Sequence, residues 1–324
     1  MDTNSIARYQ AAETALWQAN GWAPIERWVD VPEHAIRVRV LDSGTGRPIL
    51  FVHGGPNAAT TWTGLAGRLV GFRCLAVDRP GCGLSAPLEY DGLDIGRAMI
   101  DVQTAVLDSL GLDRVDLVGS SFGGACVLWL AQAQPDRVGR IVLEGAPAIE
   151  GMRPAMNLRT LAFRPLGRFI ARQRASRGVM RMTFRQIGHR ALLRRGWPEG
   201  ADLGWGLAMM NDTDTMRHEV DLIQHVATWR GFRHGLLFDP AALARIAAPT
   251  LWLWGESDPF GRVEQGRRWA ASMPAGTFES FADGGHLPWL DHPAAHAARI
   301  AAFLGAEVPA AARAPRVGAT PGGR

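Results

Sequence analysis

The segment GSSFG at residues 119–123 places Ser121 at the centre of a G-x-S-x-G pattern. Ser120 does not fit the pattern, because Val118 and Phe122 occupy the positions where it would need glycines. The two glycines permit a strand-to-helix turn that is tight enough to expose the serine hydroxyl. The helix that follows favours a developing negative charge at its N-terminus. The pattern therefore predicts that Ser121 is a nucleophile.

A serine hydroxyl is little ionised at neutral pH, so this nucleophile needs a base. His286 lies in the glycine-rich segment FADGGHLPWLDHP, which follows a short strand-like run. Asp258 comes directly after the buried-strand pattern LWLWG, and we expect it to orient the imidazole and stabilise its cation. Glu144, in the segment VLEGAP at the end of an earlier strand, remains an alternative acid. The order Ser121, Asp258, His286 suits three groups that converge at the carboxyl edge of one sheet.

The anion formed by nucleophilic attack needs hydrogen-bond donors that are already in place. The N–H of Phe122, directly after the nucleophile, is one candidate. The segment FVHGGPN follows an early strand and offers the N–H of Gly55 as the second, since Pro56 has no N–H. His53, in the same segment, is interpreted as a residue that shapes this loop and not as a base.

Short apolar runs alternate with helical patterns through the first half of the chain. Strand-like runs lie within residues 35–44, 47–55, 72–78, 115–120 and 140–146, and helical patterns within 5–20, 94–110 and 123–134. This alternation predicts an α/β fold with a mostly parallel, doubly wound sheet that helices cover on both faces. The strands carry the candidate site residues to one edge of that sheet.

The alternation stops near Pro147 and resumes with a strand-like run at 248–258. A parallel crossover needs about a dozen residues, and this one is several times longer. We therefore predict a largely helical lid inserted after the strand-like run at 140–146. The predicted boundaries are a core of residues 1–149 and 241–305, a lid of residues 150–240, and a disordered tail of residues 306–324.

Arginines are concentrated in the first half of the predicted lid. Residues 151–198 contain 12 arginines and no acidic residue. This asymmetry is compatible with an anionic substrate, a membrane surface or an acidic partner, and also with a plain solvated face.

The composition excludes several classes of protein. The chain has 324 residues, 47% of them hydrophobic, which suits one large α/β domain with an insertion or two domains. Its formal charge is only +4 and all of its cations are arginine, so we expect no nucleic-acid partner. The three cysteines are an odd number without metal-ligand spacing, which argues against a disulfide framework and for a reducing compartment. Residues 1–20 lack the layout of a secretory signal. We therefore expect a cytoplasmic protein without stable membrane insertion.

Five segments together resemble the α/β-hydrolase fold family, in its lid-bearing esterase and epoxide-hydrolase-like branch. They are HGGP at 53–56, DRPGCGLS at 78–85, GSSFGG at 119–124, GESD at 255–258 and GGHLPWLDHP at 284–293. The resemblance implies Ser121 as nucleophile, Asp258 as acid and His286 as base. It also implies Gly55 and Phe122 as the oxyanion donors, and it implies that the lid is inserted after the sixth strand.

Two departures from known members argue against particular reactions. The epoxide hydrolases and haloalkane dehalogenases of this branch use an aspartate nucleophile, so Ser121 argues against epoxide hydrolysis and against dehalogenation. The HGGP segment resembles proline iminopeptidases, but Asn57 and the alanines after it interrupt the longer glycine-rich segment of those enzymes, which argues against a peptidase.

The sequence therefore predicts a serine hydrolase that cleaves a small to medium, largely apolar carboxylic ester or lactone through an acyl-enzyme on Ser121. The same triad also serves C–C bond hydrolysis, amide hydrolysis or perhydrolysis. A non-catalytic ligand receptor on this scaffold is an alternative from another class. We expect a small-molecule substrate and no metal or organic cofactor, and the oligomeric state is not predicted.

Overall fold

Eight strands form the central sheet in the computed structural model, which describes residues 1–233 and 235–305. The strands are β1 (Ile25–Val31), β2 (Ile36–Gly44), β3 (Arg47–Val52), β4 (Phe72–Val77), β5 (Val115–Ser120), β6 (Val138–Glu144), β9 (Thr250–Gly255) and β10 (Gly276–Phe281). Their order in the sheet is β1-β2-β4-β3-β5-β6-β9-β10. Strand β2 runs antiparallel to its neighbours β1 and β4, and the other adjacent strands are parallel. The predicted mostly parallel α/β sheet is confirmed.

Helices flank this sheet and also fill the long connection between β6 and β9. They are α1 (Thr3–Ala19), α2 (Thr63–Ala66), α3 (Ile95–Ser109), α4 (Phe122–Ala133), α5 (Met156–Ala162), α6 (Arg164–Ile170), α7 (Arg177–Gln186), α8 (Arg190–Arg194), α9 (Gly200–Asp212), α10 (Thr215–Val226), α11 (Pro240–Ala244), α12 (Val263–Ser272), α13 (Pro288–Asp291) and α14 (Pro293–Gly305). Helix α4 packs on β3, β5 and β6, and α12 packs on β9 and β10.

The local sequence explains why these elements form. Every residue of β5 and β9 is buried, as expected for central strands covered on both faces. Helix α3 begins after Asp94, whose side chain accepts a hydrogen bond from the Arg97 N–H at 3.0 Å. Its buried residues Ala98, Val102 and Val106 recur at four-residue spacing and form one apolar face.

The edge strand β1 has no counterpart among the strands that the sequence predicts. Its first four residues are exposed, and among its last three only Val29 and Val31 are buried. A half-exposed edge strand therefore leaves too weak an apolar pattern for sequence analysis to detect.

The long connection leaves and rejoins the core at one point. Ile149 and Phe238 form a parallel bridge, and the N–H of Glu150 donates to the Phe238 carbonyl at 2.8 Å. The Phe238 N–H donates in turn to the Ala148 carbonyl at 3.0 Å. Helices α5–α10 and the hairpin of β7 (Ala227–Thr228) and β8 (Gly231–Phe232) lie between these ends, and we call them the insertion.

Helix α1 packs against the insertion, and a buried ion network ties it to the core. Leu16 of α1 belongs to a small apolar cluster with Trp205 and Met209 of α9. Glu13 of α1 pairs with Arg39 of β2 at 2.8 Å, and both side chains are fully buried. Residues 306–324, where a disordered tail is predicted, lie outside the described residues.

Candidate active site

Ser121 occupies a sharp turn between β5 and α4. Its backbone has φ 52° and ψ −122°, a conformation that residues other than glycine rarely adopt. A Cβ on Gly123 would collide with the carbonyl oxygens of Val52 and His53, and one on Gly119 would lie 2.7 Å from the Gly123 carbonyl oxygen. The two glycines of the sequence pattern are therefore required by close backbone packing around the serine.

His286 and Asp258 form a buried hydrogen-bonded pair. The Nδ1 atom of His286 lies 2.8 Å from Oδ2 of Asp258. The same oxygen accepts the N–H of Ala146 at 3.1 Å, and Oδ1 accepts the N–H of Phe260 at 2.9 Å. These donors hold the carboxylate in place, so Nδ1 of His286 carries the proton and Nε2 is the basic nitrogen.

Glu144, the alternative acid, lies in a different pair. Its carboxylate oxygens are 2.8 Å and 3.0 Å from Nδ1 of His296, and both side chains are fully buried. The structure therefore joins His286 to Asp258, and Glu144 to His296.

One cavity of about 350 Å³ is lined by both Ser121 and His286. Gly55 and Phe122, the predicted oxyanion donors, line the same cavity. Across residues 1–233 and 235–305, no hydrogen bond joins the Ser121 hydroxyl to the His286 ring. Catalytic hydrogen bonds are often long or poorly aligned before substrate binds.

The loop after β3 approaches Ser121, the candidate nucleophile, closely. A Cβ on Gly54 would lie 2.7 Å from the Ser121 Cβ and 3.4 Å from its Oγ, so only a glycine fits here without a shift. Phe122 is the first residue of α4, and the N–H groups of a first helical turn have no partner within the helix. The loop and the helix N-terminus therefore flank the serine hydroxyl.

A buried network connects this loop to the insertion. Arg79 donates its backbone N–H to Nε2 of His53 at 3.1 Å, and its guanidinium donates to the carbonyls of His53 at 2.8 Å and Gly54 at 3.1 Å. The guanidinium also pairs with Glu219 of α10. Burial lowers the pKa of His53, so this histidine is neutral and has a structural role. Sequence analysis misses Glu219 because no motif surrounds it.

The loop that carries His286 is held by three consecutive backbone amides, those of residues 285–287. The first donates to Oδ2 of Asp291 at 3.0 Å, the second to the Ile187 carbonyl at 2.8 Å and the third to Nε2 of His189 at 3.2 Å. Nδ1 of His189 lies 2.7 Å from Oδ2 of Asp291, which completes the network. Ile187 and His189 lie between α7 and α8 of the insertion, so the insertion positions the loop of the candidate base.

The replacement His189→Ala should lower kcat of ester hydrolysis by about 10- to 100-fold with little change in KM, because the His286 loop loses its alignment. It should also lower the free energy of unfolding by about 3 kcal/mol, since Asp291 keeps one backbone donor but loses its buried partner. Steady-state kinetics and urea unfolding measure the two effects. The replacement His189→Gln, whose amide oxygen can accept from residue 287, should restore part of kcat.

A matched control is available elsewhere in the insertion. His225 pairs with the exposed side chain of Asp91 at 2.9 Å, so His225→Ala should change stability by less than about 1 kcal/mol and leave kcat intact. An unchanged kcat in His189→Ala would show that this network does not position the base.

The described lining of the cavity contains no arginine. It includes the side chains of Asp202 and Glu219, and Glu219 is paired with the buried guanidinium of Arg79. Burial raises the pKa of Asp202, which indicates poorly hydrated surroundings.

Within residues 1–233 and 235–305, no group of three or more His, Cys, Asp or Glu side chains is arranged to hold a metal ion. None of the helices in these ranges is long and apolar enough to cross a membrane.

Comparisons with known proteins agree with this architecture. A 2-hydroxymuconate semialdehyde hydrolase from Pseudomonas is 28% identical over 86% of this chain and 93% of its own length. A 2-hydroxy-6-oxononadienedioate/2-hydroxy-6-oxononatrienedioate hydrolase from Cupriavidus pinatubonensis is 27% identical over 83% of this chain and 91% of its own length. The solved structure of carboxylesterase CesB from Bacillus subtilis superposes with a TM-score of 0.69 at 21% identity, covering 93% of this chain and 99% of that one. The sequence model of the alpha/beta hydrolase fold matches residues 47–293, so the chain belongs to the alpha/beta hydrolase fold family.

Proposed function

We propose that this chain is a serine hydrolase that cleaves a small to medium, largely apolar carboxylic ester or lactone. The observation that carries the proposal is a single cavity that holds Ser121 on its strained turn and the buried His286–Asp258 pair. A receptor would gain nothing from a strained serine beside a positioned base. The triad of Ser121, His286 and Asp258 is therefore proposed as the catalytic machinery.

In the proposed reaction, the Ser121 oxygen attacks the substrate carbonyl carbon while Nε2 of His286 takes the hydroxyl proton. Asp258 stabilises the resulting imidazolium, and the N–H groups of Gly55 and Phe122 bind the tetrahedral oxyanion. The C–O bond then breaks, and His286 gives the proton to the departing alcohol. Water attacks the acyl-enzyme, His286 takes its proton, and Ser121 recovers that proton when the acid leaves.

We further propose that residues 150–240 act as a lid that sets the shape of the cavity. The apolar lining from this segment includes Leu158, Leu161, Met180, Phe184, Trp205 and Leu222. These side chains exclude water from the reacting groups, which strengthens the electrostatic interactions between them.

A second candidate function, C–C bond hydrolysis, is favoured by the names of the two curated relatives. A dioate substrate carries two carboxylates, and these need cationic or hydrogen-bonding partners when they are buried. The described lining of this cavity has no arginine, and the buried guanidinium of Arg79 forms its ion pair with Glu219. Because no arginine of the described lining faces a substrate carboxylate, we favour an uncharged ester or lactone over a dioate.

A pair of matched esters tests this choice. The p-nitrophenyl esters of butyric and succinic acid have acyl groups of equal length and differ by a terminal carboxylate. Burial of that unpaired charge should cost about 3 kcal/mol, so kcat/KM should be about 100-fold lower for the succinate ester. A succinate ester cleaved as fast as the butyrate ester, or a 2-hydroxy-6-oxo dioate cleaved faster than both, would contradict the proposed substrate class.

A further inference from the structure

The insertion carries a strongly cationic outer surface. Of the 12 arginines in residues 151–198, ten are exposed: Arg153, Arg164, Arg168, Arg172, Arg174, Arg177, Arg185, Arg190, Arg194 and Arg195. In the described part of the chain, every arginine that forms an ion pair with a carboxylate lies outside residues 151–198. The positive charge of the segment is therefore not neutralised by internal salt bridges.

Large apolar side chains are exposed among these arginines. Six of the 11 exposed large hydrophobic residues in the described chain fall between residues 156 and 182. They are Met156, Phe163, Leu166, Phe169, Val179 and Met182. Scattered exposed apolar residues are normal in folded proteins, but a concentration of them marks a surface that contacts an apolar partner.

Two of these helices, α5 and α7, also line the candidate active site. In α7, Met180 and Phe184 face the cavity, whereas Val179 and Met182 are exposed. On α7, the exposed side chains therefore lie on a different face of the helix from the side chains that line the proposed catalytic cavity.

A concave site between α7 and α8 concentrates the positive charge further. This depression of about 330 Å³ is lined by Arg181, Arg185, Arg190 and Arg194 together with Leu193. Arg181 is fixed by donating to the carbonyls of Trp197 at 2.5 Å and Leu193 at 3.0 Å. Four guanidinium groups around one depression repel each other, and an anionic group such as a phosphate would relieve this repulsion.

We propose that this outer face, residues 153–195, binds peripherally to the surface of a bilayer that contains anionic phospholipids. Each arginine near such a surface contributes about 1 kcal/mol, and the exposed phenylalanine, leucine and methionine side chains enter the boundary between headgroups and acyl chains. The proposal is independent of the catalytic one, because it requires no turnover.

Two other occupants fit the surface less well. A second copy of the chain would place one arginine-rich face against another, which like charges oppose. A nucleic acid would use the arginines but would leave exposed side chains such as Phe163, Phe169 and Met182 without an apolar partner.

Sedimentation with vesicles tests the proposal on the full chain. Vesicles with roughly 30% phosphatidylglycerol should bind at least ten times more protein than pure phosphatidylcholine vesicles, and raising salt from about 0.1 M to about 0.5 M should release most of it. The variant Ser121→Ala should bind as well as the unmodified chain. Equal binding to both kinds of vesicle, or no binding to either, would overturn the proposal.

Matched variants locate the binding surface. Arg190→Gln combined with Arg194→Gln should weaken vesicle binding by about 30-fold, because about 2 kcal/mol of attraction is lost. Phe163→Ser combined with Phe169→Ser should weaken it without changing its salt dependence. The control pair, Arg114→Gln with Arg268→Gln, removes the same charge from exposed positions outside the insertion and should bind as before.

Several outcomes would contradict the assignment. They are an equal loss in the control pair, full binding by both test pairs, or a double-stranded RNA that binds the chain more tightly than the anionic vesicles do. Thermal unfolding midpoints and rates of p-nitrophenyl butyrate hydrolysis should match in all three double variants, which separates lost binding from lost folding.

Discussion

The replacement Ser121→Ala should lower kcat for p-nitrophenyl butyrate by roughly 10⁴- to 10⁶-fold, the usual cost of removing the nucleophile of such a triad. The side chain lies at the cavity, and its backbone conformation at φ 52° already accommodates a Cβ, so alanine adds no new strain. We therefore expect the thermal unfolding midpoint to change little. Steady-state kinetics at matched protein concentrations measures the loss.

Ser120 provides the control for this experiment. It adjoins the proposed nucleophile, and its buried hydroxyl has no hydrogen-bond partner among the described residues. The replacement Ser120→Ala should therefore leave kcat within a few-fold of the unmodified chain. A large loss in Ser120→Ala together with residual activity in Ser121→Ala would show that the wrong serine has been assigned.

The replacement Asp258→Asn should lower kcat by about 10⁴-fold, because an amide at this position no longer fixes the His286 tautomer or stabilises its cation. The carboxylate oxygens accept the N–H groups of Ala146 and Phe260, so asparagine also has to rotate to retain part of these contacts. Kinetics at several pH values, with circular dichroism to verify folding, measures the effect.

The replacement Glu144→Gln separates the two carboxylates. Glu144 is the partner of the buried His296, so its loss should cost about 1 to 3 kcal/mol in the free energy of unfolding. We expect kcat to remain within a few-fold of the unmodified chain. If Glu144→Gln instead abolished turnover and Asp258→Asn did not, the proposed acid would be wrong.

The parts of this structure that the sequence predicts are those with a local cause. The turn at Ser121 is encoded by glycines whose Cβ atoms would collide with neighbouring backbone. The central strands are encoded by continuous apolar runs, such as VDLVGS in β5, because both of their faces are buried. Parallel strands end at one edge of the sheet, so residues that follow different strands lie close together.

The parts that the sequence does not predict depend on contacts between distant segments. His189 and Asp291 are 102 positions apart, and Arg79 and Glu219 are 140 positions apart. No spacing rule connects such residues, because the packing of the insertion on the core decides which side chains meet. The sequence shows the arginine-rich segment, but only the fold shows that several large apolar side chains of the same segment are exposed.

Labelling with a fluorophosphonate probe, followed by mass spectrometric mapping of the modified peptide, tests the central claim most directly. A phosphonate reacts with a serine only where a neighbouring base and oxyanion donors activate it. We predict one adduct per chain, on Ser121, which is absent in Ser121→Ala and strongly reduced in His286→Ala. An adduct on any other residue, or hydrolysis of esters by a chain that the probe does not modify, would contradict the proposed site.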